Sequence, residues 1–288
     1  MSFNKSADRG ILNNCRIVGR QDAIYGAEPA RVAVNGGVLM GAVDYIFGGM
    51  TLACYKTDLS MLVTLDSNDA TYITAPQQNS GKRGFLFMNC HIVSAIPEVE
   101  MAEVQPAKPG YFGRPWSTSG EAVFANTTID ATQCSGYTGS LISPIGWNNS
   151  LSGESPRSYE YNSIDAVDNS ANRATWATVL TTPNLPDGTE ITLFNFTKGS
   201  DNWDPFAEFT TALPTIGSDN SLGLIVRENR LHINNITAGA VVEIFTPAGI
   251  LISKQKAAGQ FVSNELTHGA YVVIVSDSGK RMAAKVIL

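Results

Sequence analysis

Three short segments of this chain are variants of one pattern: Leu12-Asn13-Asn14-Cys15-Arg16-Ile17-Val18-Gly19, Phe87-Met88-Asn89-Cys90-His91-Ile92-Val93-Ser94 and Phe124-Ala125-Asn126-Thr127-Thr128-Ile129-Asp130-Ala131. Each opens apolar, carries Asn in the third or fourth place, and has an Ile two or three residues past it. Across residues 11–130, apolar runs are short and broken by Gly, Asn and Asp: Ile11-Leu12, Val32-Ala33-Val34, Val38-Leu39-Met40, Leu62-Val63-Thr64-Leu65 and Phe85-Leu86-Phe87. Similar units that recur without a helical period predict stacked coils, about 20 to 25 residues each, as in a parallel β-helix. Asn at equivalent coil positions is expected to form a hydrogen-bonded ladder inside such a stack. An ordinary β-sandwich with chance similarity is the competing reading.

Residues 131–212 are less regular, with Pro144, Pro156, Pro183, Pro186 and Pro205 breaking the run. They are expected to pack along the side of the stack, with Asn172–Leu180 the one stretch suited to a helical turn or two. The composition shifts at Leu213-Pro214-Thr215-Ile216-Gly217-Ser218, and residues 213–220 read as a linker. Short strands then alternate with turns: 223–227, 230–233, 241–245, 251–255, 270–276 and 282–288. Pro247-Ala248-Gly249 and Asp277-Ser278-Gly279-Lys280 are hairpin signals. The expected architecture is all-β: a right-handed parallel β-helix over 1–212, lacking its first coils, and a small β-sandwich over 221–288.

Composition narrows the function. Net charge is -6 and only 16% of residues are charged, so the basic patch that phosphate binding needs is missing, and nucleic acid is not an expected partner. No run of about 18 apolar residues marks a membrane span, and no signal peptide is visible. The polar start, Met1–Asn14, runs straight into a strand, which reads as the middle of a domain and predicts a truncated chain. The four cysteines (Cys15, Cys54, Cys90, Cys134) lack metal-ligand spacing and read as small core residues, with a disulfide left open. His91, His232 and His268 lie too far apart to suggest a metal site or a triad.

Two Asp-containing turns are the candidates for chemistry: Gly19-Arg20-Gln21-Asp22-Ala23-Ile24-Tyr25 and Val43-Asp44-Tyr45-Ile46-Phe47-Gly48-Gly49. Their carboxylates are 44 − 22 = 22 residues apart, one coil of a β-helix. Neighbouring rungs lie about 4.8 Å apart. Carboxylates that close push each other's pKa values apart, leaving one as nucleophile and the other as acid. Taken singly, each Asp is more often a plain turn former. Tyr111-Phe112-Gly113-Arg114-Pro115-Trp116 adds a guanidinium able to fork onto one carboxylate and an aromatic face for a sugar ring.

These residues resemble the pectin methylesterase family. Gln21-Asp22-Ala23-Ile24-Tyr25 is similar to its Q-D-T-L-Y motif, Asp44-Tyr45-Ile46-Phe47-Gly48 to D-F-I-F-G, and Phe112-Gly113-Arg114-Pro115-Trp116 to L-G-R-P-W. Weaker matches follow at Tyr72-Ile73-Thr74-Ala75, Ile142–Trp147, Tyr159-Glu160-Tyr161 and Trp203-Asp204-Pro205-Phe206, so the likeness spans about 8–208. It implies a carboxylic ester hydrolase acting on methyl-esterified homogalacturonan (pectin), with no metal or organic cofactor. Asp44 would be the nucleophile, Asp22 the acid and then base, and Gln21 an oxyanion donor. Arg114 would hold Asp44, and Trp116 and Phe47 would contact sugar together with Arg114. Ala23 replaces the usual Thr and Tyr45 the usual Phe.

The family's upstream G-x-Y-x-E and Q-A-V-A-L motifs, the second supplying another oxyanion glutamine, are missing. Losing such a donor costs about 100- to 1000-fold in rate, so this polypeptide alone is expected to show little esterase activity. A truncated, inactive stack that only binds pectin is the alternative. A pectate lyase or polygalacturonase would share the fold, but a lyase needs a Ca²⁺ cluster of acids and a basic residue, and the Gln21-Asp22, Asp44–Gly48 and Gly113–Trp116 set argues for the esterase. The tail, Glu243–Leu251, Leu266–Val273 and Lys285–Leu288, resembles the C-terminal sorting domain of the type IX secretion pathway. That resemblance implies a parent protein delivered by export machinery to the cell surface or beyond, and a monomer is expected.

Overall fold

The computed structural model describes residues 1–4, 7–62, 70–94, 109–134, 137–151, 153–207, 223–227, 229–246, 250–267, 269–277 and 280–287. The chain forms two compact units, Met1–Glu208 and Phe209–Leu288. The linker read at 213–220, the Pro247–Gly249 turn, Ser278-Gly279, His268 and the 63–65 part of one apolar run lie outside the described residues.

The first unit is a parallel β-helix. Its described strands fall into three parallel sheets, each built from one strand per coil. The first sheet holds β1 (Ser2–Phe3), β4 (Ile24–Gly26), β7 (Ile46–Gly48), β10 (Tyr72–Pro76) and β13 (Tyr111–Gly113). The second holds β2 (Gly10–Asn13), β5 (Arg31–Asn35), β8 (Thr51–Tyr55), β11 (Phe85–Met88), β14 (Ala122–Ala125), β16 (Ser158–Tyr161) and β18 (Thr178–Leu180). The third holds β3 (Arg16–Val18), β6 (Val38–Gly41), β9 (Asp58–Met61), β12 (His91–Ser94), β15 (Thr128–Asp130) and β17 (Ile164–Asp165).

Stacking puts like on like inside the coils. Val34, Cys54, Phe87 and Phe124 follow one another in register, as do Leu39, Leu59, Ile92 and Ile129. All of these are buried. Phe87 stacks on Phe124 at 4.5 Å, and Phe112 meets Phe124 at 4.6 Å. Full burial of each such side chain stabilises the stack by about 1.5–3 kcal/mol. Beyond Phe124 the inward column ends on Glu160. That carboxylate is 3% exposed and is gripped by Arg173 through Nε–Oε1 (2.7 Å) and Nη2–Oε2 (3.1 Å), so a fully paired charge replaces the next apolar layer. Cys54, Cys90 and Cys134 are buried free thiols in this core, and burial pushes the Cys90 thiol up to about 12.

The recurrent asparagines do something other than form an interior ladder. Among the described residues, the corner between the second and third sheets is left-handed in six coils: Asn14 (φ 50°), Gly36 (64°, followed by Gly37 at 75°), Lys56 (52°), Asn89 (54°), Asn126 (51°) and Asn162 (50°). Side chains at positive φ clash with the following carbonyl, and Asn tolerates this better than most residues. The pattern marks turn geometry at the surface. The amide bonds present, Asn35 Nδ2 to Asn13 Oδ1 (2.9 Å) and Asn162 Nδ2 to Asn126 Oδ1 (2.8 Å), are outward-facing.

Residues 131–207 also depart from expectation. β16, β17 and β18 add further rungs, so this region extends the stack as well as flanking it. The stretch at Asn172–Leu180 is not helical beyond a 3-10 turn at Ser170–Asn172 and contains β18. Among the described residues the α-helix is instead α1 (Leu193–Thr197), capped by Thr192 Oγ1, which accepts from the Asn195 N–H at 3.0 Å. Leu193 and Phe196 are buried, and α1 packs on β5, β8 and β11. Leu193 and Phe196 are only three residues apart, too short a period to stand out among prolines.

The second unit is antiparallel. β19 (Gly223–Arg227), β20 (Arg230–Asn234) and β23 (Phe261–Val262) form one sheet. β22 (Leu251–Ala258), β21 (Ala238–Phe245), β24 (Ala270–Asp277) and β25 (Lys280–Ile287) form the other. Leu231, Ile233 and Phe261 from the first share a core with Val242, Ile244, Val273 and Val275 from the second. The short β23 left no periodic signal in the sequence.

Candidate active site

The two Asp turns occupy equivalent places on adjacent rungs. Ile24 pairs with Ile46 and Tyr25 with Phe47, while Gln21 bridges Val43. Asp22 and Asp44 share the same left-handed backbone, φ 49° in both. The following rung lacks this feature: Tyr72 N–H donates to Ala42 O (2.9 Å), yet Thr74 is already opposite Ile46. The Asp44 rung therefore carries one extra residue there, a bulge of the kind that re-aims a side chain. The turn-forming reading of these aspartates therefore holds, and the same left-handed backbone sets the direction of each carboxylate.

Asp44 is 3% exposed. Arg114 meets it edge-on, with Nε to Oδ1 at 2.8 Å and Nη2 to Oδ2 at 2.8 Å. Burial pushes the Asp44 carboxyl above its ordinary range, and the Arg114 fork pulls it back. Paired forks of this kind are among the stronger polar contacts in proteins. Asp22 is more open to solvent. Its carboxyl is also raised, first by partial desolvation and then by the negative charge of Asp44, with Arg114 opposing. Both carboxyls therefore stand above the ordinary Asp range, and what separates them is the Arg114 fork, which bonds to Asp44. Gln21 is exposed next to Asp22, and among the described residues its amide has no hydrogen-bond partner.

Arg114 arrives from two rungs beyond Asp44. Gly113 pairs with Thr74, and the Arg114 N–H donates to Thr74 O (2.9 Å). A Cβ on Gly113 would lie 2.5 Å from the Thr74 carbonyl oxygen, so glycine is required for the strand to approach this closely. Arg114 then folds back over the Tyr72 ring, its guanidinium carbon 4.1 Å from the centroid, and Nη1 donates to Ser150 Oγ (3.3 Å). Trp116, 44% exposed, meets Phe47 at 5.4 Å, and Phe47 meets Tyr25 at 5.3 Å. The result is an aromatic strip beside the acid pair.

A cleft of about 800 Å³ lined by Tyr25, Glu28, Gln77, Asn79 and Trp116 continues from this strip. Past Glu28 it meets a basin of about 590 Å³. The basin's cations are engaged: Arg31 with Asp8 and Asp201, Arg83 with Glu121 and Asp187, and Lys82 with Glu28. Among the described residues no cluster of His, Cys, Asp and Glu is arranged to hold a metal ion.

Of the residues singled out in the sequence, Asp44, Asp22 and Arg114 form one electrostatic unit, and Phe47 and Trp116 one aromatic contact. Gln21 is positioned by its backbone. Sequence reasoning gave no role to Tyr25, Tyr72 or Ser150. The first two lay inside quoted motifs and follow from register once the coils are aligned. Ser150 carries no local signal.

Comparison with known proteins agrees with the fold. The chain is 31% identical over 156 residues to a probable pectinesterase/pectinesterase inhibitor 64 of Arabidopsis thaliana, a match covering 51% of this chain and 24% of that protein. Pectin methylesterase PemA from Erwinia chrysanthemi superposes with a TM-score of 0.53 at 26% identity, covering 70% of this chain and 60% of PemA. A pectin methylesterase crystallised with a hexasaccharide gives the same score, identity and coverage. The chain spans a quarter of the length of the first relative and half that of another Arabidopsis relative, Pectinesterase 31. A family profile described as Pectinesterase matches residues 1–200, and the chain belongs to the pectinesterase family.

Proposed function

We propose that this site hydrolyses methyl esters of a polygalacturonate chain, releasing methanol. The observation that carries the proposal is the two-point Arg114 clamp on buried Asp44, beside an Asp22 whose carboxyl is raised. An Asp44 carboxylate oxygen attacks the ester carbonyl carbon, with the Gln21 amide donating to the oxyanion. The carbon–methoxy bond breaks, and methanol departs with the proton from Asp22. Water then attacks the acyl–Asp44 anhydride and gives one proton to Asp22, the acyl–oxygen bond to Asp44 breaks to free its carboxylate, and the uronic acid formed loses its remaining proton to solvent. The Arg114 fork favours the ionised form of Asp44, which suits the nucleophile, and the more exposed Asp22, raised without such a fork, suits the acid. The Trp116–Phe47–Tyr25 strip offers apolar faces to sugar rings.

The hexasaccharide complex of the related methylesterase supports a pectic oligosaccharide as ligand. The second unit is proposed as a sorting module of an exported parent protein, on the tail resemblance alone. The test is methanol release from highly methylated homogalacturonan by the chain and by Asp44→Ala. A rate that vanishes in the variant supports the reading. Equal rates remove it, and retained pectin binding without turnover would favour a binding module.

A further inference from the structure

The geometry points to Tyr72 as a positioning residue: its ring is the platform that holds the Arg114 guanidinium flat against Asp44. This rests on the function proposed above. Arg114 belongs to the rung after Tyr72, while its target Asp44 belongs to the rung before it. The side chain must therefore cross one full rung, and a long flexible side chain crossing open space has many rotamers and only one that presents Nε and Nη2 together.

Tyr72 fills the rung to be crossed. It is buried, and its centroid lies 4.1 Å from the Arg114 guanidinium carbon. The ring is itself fixed, because Tyr111 on the next rung stacks on it at 5.3 Å with planes 10° apart. Its backbone N–H is tied to Ala42 O, just before the Asp44 bulge. One edge of the guanidinium goes to Asp44, its face to Tyr72, and its remaining nitrogen to Ser150 Oγ. A flat aromatic face is worth more to a cation where water is excluded. Neither hydrogen-bond partner can supply that flat surface. The requirement is for the π face, so phenylalanine should serve.

The experiment compares Tyr72→Phe and Tyr72→Leu in the full chain. Tyr72→Phe should keep kcat within about threefold of wild type, whereas Tyr72→Leu should lower kcat by about 10- to 30-fold with KM nearly unchanged. The acid limb of the pH–rate profile should move to higher pH in Tyr72→Leu alone. The ionised Asp44 loses its held partner, its carboxyl pKa rises, and more base is needed to form the nucleophile. Carboxyl-carbon NMR of labelled Asp gives the same answer without turnover: the Asp44 titration moves up in Tyr72→Leu and stays in Tyr72→Phe. If wild type releases no methanol in an assay sensitive enough to detect a rate about 1000-fold below that of an intact esterase, but the NMR shift appears, the positioning role stands and the esterase proposal falls. The positioning role falls if Tyr72→Leu leaves Asp44's titration in place, or if Tyr72→Phe shifts it as far as Tyr72→Leu does.

Discussion

Replacing Tyr45 with Phe is expected to stabilise the β-helical unit. The Tyr45 side chain points into the stack and is fully buried, and its hydroxyl has no hydrogen-bond partner among the described residues. Its surroundings include the Cys54 and Cys90 thiols, and burial holds the phenol far above its usual pKa, so the group stays neutral. A buried hydroxyl without a partner costs about 1–3 kcal/mol in protein mutational data. Removing one oxygen leaves the ring contacts in place and opens little space, so a net gain of about 1–2 kcal/mol is expected. For a unit of this size that corresponds to roughly 2–8 °C in Tm. The assay is equilibrium urea denaturation of the two chains, read as a higher midpoint at unchanged slope. Asp44, one residue away, faces the opposite side of the chain, so its ion pair with Arg114 should be untouched. A Tyr45→Phe chain that is less stable than wild type would show that the hydroxyl makes a favourable contact, and the reasoning would fail.

Asp44→Asn should lower the Asp22 pKa, because the negative charge that raises it is gone while its partial desolvation remains; carboxyl NMR titration that finds Asp22 unchanged or higher would contradict this. Lys56→Asn should stabilise by about 1 kcal/mol, since Lys56 occupies a left-handed corner where four other coils use Asn; thermal melting tests it. Arg173→Met should cost about 3–5 kcal/mol by leaving the Glu160 carboxylate buried without its cation, read by urea denaturation at pH 7. That loss should shrink as pH falls, because burial raises the Glu160 pKa and the protonated acid tolerates the missing partner. Gly113→Ala should reduce activity through displacement of Arg114, with methanol release and the Asp44 titration changing together.

Much of the stack was legible because its signals are local. The Asp22 and Asp44 turns, the short apolar runs and the Gly113-Arg114-Pro115-Trp116 step each fall within a few residues, and one coil length links the two acids. The asparagines were legible as a repeat but not as a cause: the same letter serves an interior ladder or a left-handed corner, and only backbone dihedrals separate the two. The bulge before β7 was invisible, since it appears only as a mismatch between one rung's hydrogen bonds and the next. The Arg114–Tyr72 contact was also unreadable, because it depends on which rungs lie between residues far apart in sequence. β16, β17 and β18 were missed as rungs because prolines and polar residues surround them. Their strands are held by ladder hydrogen bonds to neighbours that are already ordered, and need little apolar pattern of their own.

Along the first sheet, Ile24, Ile46, Thr74 and Gly113 lie one behind another, while the chain takes 46 − 24 = 22, 74 − 46 = 28 and 113 − 74 = 39 residues to come round. Circuit length nearly doubles, and the alignment of the wall does not drift. Excursions between rungs are therefore free to lengthen, shorten or change chemistry over evolutionary time, altering what flanks the groove, while the acid pair and its guanidinium keep their mutual placement.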